Sequence, residues 1–211
     1  MLQLDPDKYQ MQNFFKSSQL APLVIQAKEG KDKAFERLFD MFQKDVFRMV
    51  YYRTRSQQDA EDLTQEIFIR AYKKISELKE AGRFRTWLFS IAVNRVRDFY
   101  RKQGIENLFS LSTSQDDTLA GPSTQKFDSP APLENLMRQD FWKQVEKFLG
   151  HLSKMEKEVF LLRFLDQLTL TEISQVLTKS ESTVKTHLYR ALVKFKKASS
   201  ILQHLQEETR G

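Results

Sequence analysis

In the stretch AFERLFDMFQKDVFRMVYY, residues 34–52, apolar side chains return every third or fourth position: Phe35, Leu38, Phe39, Phe42, Val46, Met49 and Val50. On a helix of 3.6 residues per turn they fall on one stripe, whereas a strand would divide them between two faces. The same spacing dominates the chain, and only 6 glycines and 5 prolines among 211 residues interrupt it. The fold this dictates is all-α.

A second helix starts after Ser56, where Asp59, Glu61 and Asp62 suit the positive end of the helix. Its stripe is Ala60, Leu63, Ile67, Ala71 and Ile75. An irregular piece, SELKEAG, precedes a third helix, RFRTWLFSIAVNRVRDFYR, residues 83–101. There Phe84, Leu88, Ile91, Ala92, Val96 and Phe99 point inward, with Trp87 and Phe89 on the flanks. Three such stripes make a bundle that ends near Lys102.

The third helix crowds five arginines and five aromatic residues into nineteen positions. Two readings of it stand open. The 17 phenylalanines of the chain allow a ring-rich core with arginines at its rim. Alternatively, a basic helix bordered by rings suits a single nucleic-acid strand, whose bases stack while its phosphates pair with arginine. Asn94 on its outer side could then hydrogen-bond the edge of an unstacked base.

Residues 103–134 differ in kind, with three of the five prolines, five serines, and one basic against five acidic residues. They read as an extended linker. A structureless stretch of that length inside one compact domain would be unusual, so two small helical domains joined by a flexible linker are expected. The boundaries are an N-terminal extension over 1–25 with no clear pattern, a domain over 26–102, the linker over 103–134 and a domain over 135–211.

The last domain resolves into LMRQDFWKQVEKFL, SKMEKEVFLLRFL, TLTEISQVL and ESTVKTHLYRALVKFKKA. Ser153 with Glu156, and Thr169 with Glu172, have the spacing of capping boxes, and Ser180 caps the last helix. A short helix, the break TKS and a second helix with basic and hydroxyl groups near its start is helix-turn-helix geometry. Val184, Leu188, Ala191, Leu192 and Phe195 would face inward. Ser182, Thr183, Lys185, Thr186, His187 and Arg190 would meet base edges in a major groove, with Lys194, Lys196 and Lys197 available to phosphates. An ordinary bundle with a solvated basic face is the plainer alternative.

Charge agrees with a nucleic-acid partner: the net charge is +6, and residues 70–102 hold ten basic against three acidic residues. The absence of cysteine excludes disulfides, zinc fingers and thiol catalysis. His151, His187 and His204 have no partner at ligand spacing, and no glycine-rich phosphate loop occurs. No enzyme activity, metal or cofactor is therefore expected. The longest apolar runs, WLFSIAV and LAPLVI, are too short to span a bilayer, and MLQLDPDKYQ lacks the pattern of a secretion signal. The sequence reads as that of a soluble cytoplasmic protein.

DAEDLTQEIFIRAYKKI followed by RFRTWLFSIAVNRVRDFYRK resembles the core region of an extracytoplasmic-function (ECF) RNA polymerase sigma factor. That family carries D-A-E-D-hydrophobic-x-Q-E-x-F-hydrophobic-x-A and then F-x-T-W-L-x-x-I-A-x-N. LSKMEKEVFLLRFLDQLTLTEISQVLTKSESTVKTHLYRAL resembles its last DNA-binding region. The resemblance covers about 30–102 and 135–197. It implies a non-catalytic subunit that binds core RNA polymerase through Asp59, Asp62, Gln65 and Glu66. The promoter −10 element would be opened beside Trp87 and a flipped base held near Asn94, with Lys74, Arg83, Arg85 and Arg97 along the backbone. The last helix would read the −35 element, the acidic linker would thread a channel built for RNA, and an anti-sigma factor would be a further partner. Four features depart from the pattern: TKS lacks a usual glycine, Ser174 stands at a usual alanine, Thr186 and His187 replace a Ser-Arg pair, and SELKEAGRF differs from a frequent F-R-G-E. STVKTHL also resembles the LuxR-type helix-turn-helix, which would make the chain a free-standing regulator whose first bundle senses or dimerises.

Overall fold

The computed structural model describes residues 20–102, 145 and 147–208, and among these there are helices and turns but no strand. The chain divides into two compact units with the principal boundary between Phe99 and Tyr100. The linker over 103–134, the start of the domain after it and most of the N-terminal extension lie outside the described residues.

The first unit holds α1 (20–28), α2 (Asp32–Thr54), α3 (Gln57–Lys74), two single 3-10 turns (Ile75–Glu77 and Ala81–Arg83) and α4 (Phe84–Lys102). α2 is its spine. Leu38, Val46, Met49 and Val50 are wholly buried. Three of its rings each meet a ring from another helix: Phe35 on Tyr72 at 5.0 Å, Phe39 on Phe68 at 4.8 Å and Phe42 on Phe84 at 5.5 Å between centroids. Edge-on and tilted geometries of this kind add to the burial itself. α2 stops at Arg55, which takes φ 59° and donates its N–H to the Tyr51 carbonyl. Ser56 then caps α3, its hydroxyl accepting the Asp59 N–H at 3.2 Å. Lys28 Nζ donates to the Leu78 carbonyl at 2.6 Å, fixing the irregular loop against α1.

The α2 and α3 stripes are buried as their spacing predicts, apart from Phe39, which is half-buried. Two differences stand out. Leu20, Val24 and Ala27 are buried, so the helical unit starts before residue 26. Pro22 in the first described turn hides that i, i+4, i+7 pattern, although proline is tolerated near a helix start. On α4 the stripe is turned: Phe89 and Val93 are 1% exposed, while Ile91 and Phe99 are only half-buried. A helix packed on two neighbours buries a broader arc than one stripe, and Phe84, Leu88, Phe89, Ala92, Val93 and Val96 together span it.

The second unit comprises the end of α5 (147–150), α6 (Lys154–Phe164), α7 (Leu170–Leu177) and α8 (Glu181–Glu208). Phe148, Leu149, Leu152, Leu161 and Ala191 form one core cluster. Both capping boxes are present. Ser153 accepts the Glu156 N–H while Glu156 accepts the Ser153 N–H, and Thr169 and Glu172 reciprocate in the same way. Ser180 caps α8 through the Thr183 N–H at 3.2 Å. Leu192 and Phe195 are exposed rather than inward, at 40% and 46%. The buried line of α8 runs through Val184 and Ala191, and Leu192 lies about 100° round the helix from Ala191. Phe195 meets the core through ring contacts with Phe148 at 5.1 Å and with Phe160 at 6.2 Å between centroids.

Phe84→Ala should cost the first unit about 3–5 kcal/mol, as expected when a buried phenylalanine is truncated. Trp87→Ala, at the half-buried rim, should cost less than about half of that. Hydrogen-exchange protection of the α2–α4 amides measures both, and equal losses would show that α4 is rolled the other way.

Candidate nucleic-acid interface

The rings of α4 form a floor rather than a display. Phe84 and Phe89 lie in the core, and Trp87 packs its half-buried ring against Phe84 at 5.8 Å. Arg85 places its guanidinium 5.1 Å over the Phe89 ring and so covers the floor with charge. Asn94 is exposed and Arg97 half-buried on the same helix. Arg83 pairs with Glu80 at 2.6 Å and Lys74 with Glu77 at 3.5 Å, both one turn along the chain and both exposed. Of the expected −10 residues, Arg85, Trp87, Asn94 and Arg97 lie on α4, Arg83 on the short turn before it and Lys74 at the end of α3.

Asp62, Gln65 and Glu66 are exposed on α3 and Asp59 is half-buried in its first turn. Gln65 borders an open groove between α2 and α3 whose apolar walls include Phe35, Phe39, Phe68 and Ile69. At one end Tyr72 donates to Asp32 at 2.7 Å, and this hydrogen bond, then the charge of Asp32, raises the phenol pKa above its ordinary value. Glu66 has a partner that sequence reasoning missed: Arg95 reaches it from α4 through two of its nitrogens. Arg95 follows Asn94 directly, so the ion pair joins the α3 surface to the outer side of α4. No local spacing rule connects residues 29 apart.

In the second unit α7 and α8 meet across residues 178–180 as a helix-turn-helix. Thr171 donates to Glu181 at 2.7 Å across that turn. Lys185, Thr186 and Arg190 are exposed on α8. The Thr183 and Ser182 hydroxyls both bond to Ser180 Oγ, and Thr186 Oγ1 donates to the Ser182 carbonyl at 2.9 Å, so these groups hold the helix start together. His187 is half-buried, with Nδ1 buried and without a hydrogen-bond partner, so its ring leans off the outer row. Tyr189, which the sequence reading passed over, is 69% exposed one turn beyond Lys185 and Thr186. Its signal was its absence from the 3-4 apolar stripe. Lys194 is committed elsewhere, to Glu156 at 2.6 Å and to the His151 carbonyl at 3.2 Å. Burial pushes the Glu156 carboxyl up, but hydrogen bonds from Lys194 and Ser153 and the lysine charge outweigh it and hold the pKa below its ordinary value.

Among the described residues no three His, Asp or Glu side chains gather as metal ligands, and no helix is long and apolar enough to cross a membrane. One helical unit carries the exposed Asn94 on the same helix as Arg85 and Arg97, and the other a helix-turn-helix with Lys185 and Arg190 exposed on its second helix. A helix-turn-helix with a basic outer row is a DNA-binding fold.

Residues 38–105 match Sigma-70 region 2 and residues 142–195 match Sigma-70 region 4. The ECF RNA polymerase sigma factor BldN of Streptomyces coelicolor is 33% identical over 177 residues, which cover 83% of this chain and 64% of that protein. A probable RNA polymerase sigma factor of Haemophilus influenzae is 31% identical over 145 residues, 63% of this chain and 72% of that one. The solved structure of CnrH in complex with the cytosolic domain of CnrY has a similar fold, with a TM-score of 0.63 at 23% identity, covering 88% of this chain and 97% of that one. The chain belongs to the sigma-70 family, in its ECF group. The region 2 match also overturns the LuxR-type alternative, in which the first bundle was a sensor or dimerisation domain.

Thr178 holds φ 53° in the turn between α7 and α8, where the family usually has glycine. A β-branched residue there is strained by about 1 kcal/mol or more. Thr178→Gly should therefore raise the stability of the second unit by about 0.5–1 kcal/mol, after the greater freedom of glycine in the unfolded chain is subtracted. Urea unfolding of the full chain followed by hydrogen exchange on α6–α8 measures it. A loss of stability would show that the threonine is held by contacts worth more than its strain.

Proposed function

We propose that this chain is a non-enzymatic, cytoplasmic alternative sigma factor, which joins core RNA polymerase and directs it to a particular set of promoters. The observation that carries the reading is the presence of region 2 and region 4 in one chain, in that order, at 38–105 and 142–195. Each region has its own task. The exposed face of α3, with Asp59, Asp62, Gln65 and Glu66, docks on the polymerase. The outer side of α4 takes the non-template strand of the −10 element, with a flipped base at Asn94 and the backbone along Lys74, Arg83, Arg85 and Arg97, beside Trp87. The outer row of α8, with Ser182, Lys185, Thr186 and Arg190 and with Thr183 and His187 at its sides, enters the major groove of the −35 element.

The division of labour follows from chemistry. A duplex offers base edges only through its grooves, so a protruding helix reads it, whereas an opened strand offers faces and unpaired edges. The exposed amide of Asn94 can serve an unpaired edge, while the half-buried Trp87 offers part of a ring face at its border. The acidic linker over 103–134 has the charge of the transcript and suits a channel that RNA later occupies. CnrH is held in complex with the cytosolic domain of CnrY, and an anti-sigma factor is the corresponding partner proposed for this chain.

Mixing the protein with core RNA polymerase should give co-elution on gel filtration and discrete new start sites in run-off transcription from a fragmented genomic library. Asn94→Ala should keep core binding and duplex binding but lower open-complex formation at least about ten-fold, the size of a lost base-edge contact. A protein that ignores core polymerase yet binds duplex DNA by itself would overturn the proposal.

A further inference from the structure

Lys194, one of the α8 lysines that a sequence offers to phosphate, is held by protein partners. Its ammonium lies 2.6 Å from Glu156 Oε2 and 3.2 Å from the His151 carbonyl. The Glu156 side chain is 6% exposed, and the same Oε2 accepts the Ser153 N–H at 2.9 Å, closing the capping box of α6. One oxygen therefore serves both as the cap of α6 and as the anchor of α8. Two of the three N–H donors of Lys194 are used on protein. Turning it toward a phosphate would leave a buried carboxylate without the cation that neutralises it, which costs far more than one exposed phosphate contact returns.

The geometry shows what the tie does. α8 is held near its start by Thr171 on Glu181 and thirteen residues later by Lys194 on Glu156, about 20 Å along the axis. Between those points its wholly buried residues are Val184 and Ala191, both small. Small side chains give a helix little purchase against rolling or tilting, whereas two polar ties at separate heights fix a rod in direction and in roll. Lys185, Tyr189 and Arg190 lie between the ties.

We propose that Lys194 is a positioning residue: through Glu156 it holds α8 in the one orientation in which the outer row meets the base edges together, and it does not itself touch DNA. The inference rests on the reading of α8 as the helix that enters the duplex.

The test measures binding of the full chain to two duplexes over a range of salt concentrations, one carrying the upstream element recovered from the run-off start sites and one unrelated. Lys194→Met keeps the stem and removes the ammonium. It should lower the ratio of specific to non-specific affinity about ten-fold while leaving the slope of log affinity against log salt unchanged. A simple loss of folded protein would weaken both duplexes alike and leave the ratio intact. Glu156→Gln, at a residue too buried to reach DNA, should give the same loss of ratio, and the double variant should lose no more than either single one. Should the uncompensated carboxylate unfold Lys194→Met, the double variant lacks that charge and supplies the same comparison. A slope lower by about 0.9 on both duplexes in Lys194→Met would mark a phosphate contact and overturn the proposal. An unchanged ratio in Glu156→Gln would overturn it as well. Lys185→Ala and Arg190→Ala serve as controls for the underlying reading: if neither alters slope or affinity, α8 is not the duplex-reading helix and the failure lies there.

Discussion

The burial of the α2 rings determines the first unit. Phe35 and Phe39 meet rings of α3, and Phe42 meets Phe84 at the start of α4. A helix of 23 residues with that stripe cannot leave it in water, since each ring buried is worth on the order of 2–3 kcal/mol. α3 and α4 are placed by the need to cover it, and their outer sides are what remains. Glu66 and Asn94 lie at those outer sides because Ile67, Phe68, Ala92 and Val93 lie inside. The position of the polar side chains is thus a consequence of apolar packing, one or two residues away along each helix.

The second unit works under a different constraint. α7 has eight residues and α6 eleven, and helices this short are marginal without help. Help comes at their ends. Two capping boxes satisfy the first N–H groups of α6 and α7, Ser180 does so for α8, and Arg163 closes the turn after α6 on the Leu168 carbonyl at 2.9 Å. Each such feature contributes roughly 1 kcal/mol, but each also fixes an angle between consecutive helices. A helix-turn-helix depends on those angles more than on core volume, and this explains why the polar ends carry so much of its structure.

Features set within one helix were legible in the sequence, and features set between helices were not. Ser153 and Glu156 are three residues apart, and so are Thr169 and Glu172, so their capping follows from spacing alone. The stripes of α2 and α3 were legible for the same reason. The roll of α4 was not, because the choice of Phe89 over Phe99 as the second buried ring depends on two neighbours rather than on periodicity. Exposure at Phe195 and the inward lean of His187 failed to show for that reason too. Asn94 and Arg190 could be singled out by type and position, yet Tyr189 was passed over because an aromatic residue on a helix is taken for core until packing excludes it. Lys194 and Arg95 are the clearest cases: their partners lie 38 and 29 residues away, where no pattern of local spacing reaches.

Whether a cation in this protein can serve a nucleic acid is decided by the burial of the carboxylate it already holds. Glu77 and Glu80 are 64% and 60% exposed, so water stands ready to replace Lys74 and Arg83. Exposed pairs of that kind are worth about 0–1 kcal/mol, and exchanging the glutamate for a phosphate also releases a counterion from the strand. Such an exchange would cost little. For Lys194 the same exchange strands a carboxylate that is 6% exposed, at a cost of several kcal/mol, about 3–5 for a buried pair broken at one partner. Arg95 falls between, its own side chain 16% exposed but its partner Glu66 half in water. Counting lysines and arginines along a helix therefore overstates its contacts with DNA. The four glutamates in question look alike in the sequence, and only the packing around each one decides how firmly its cation is held.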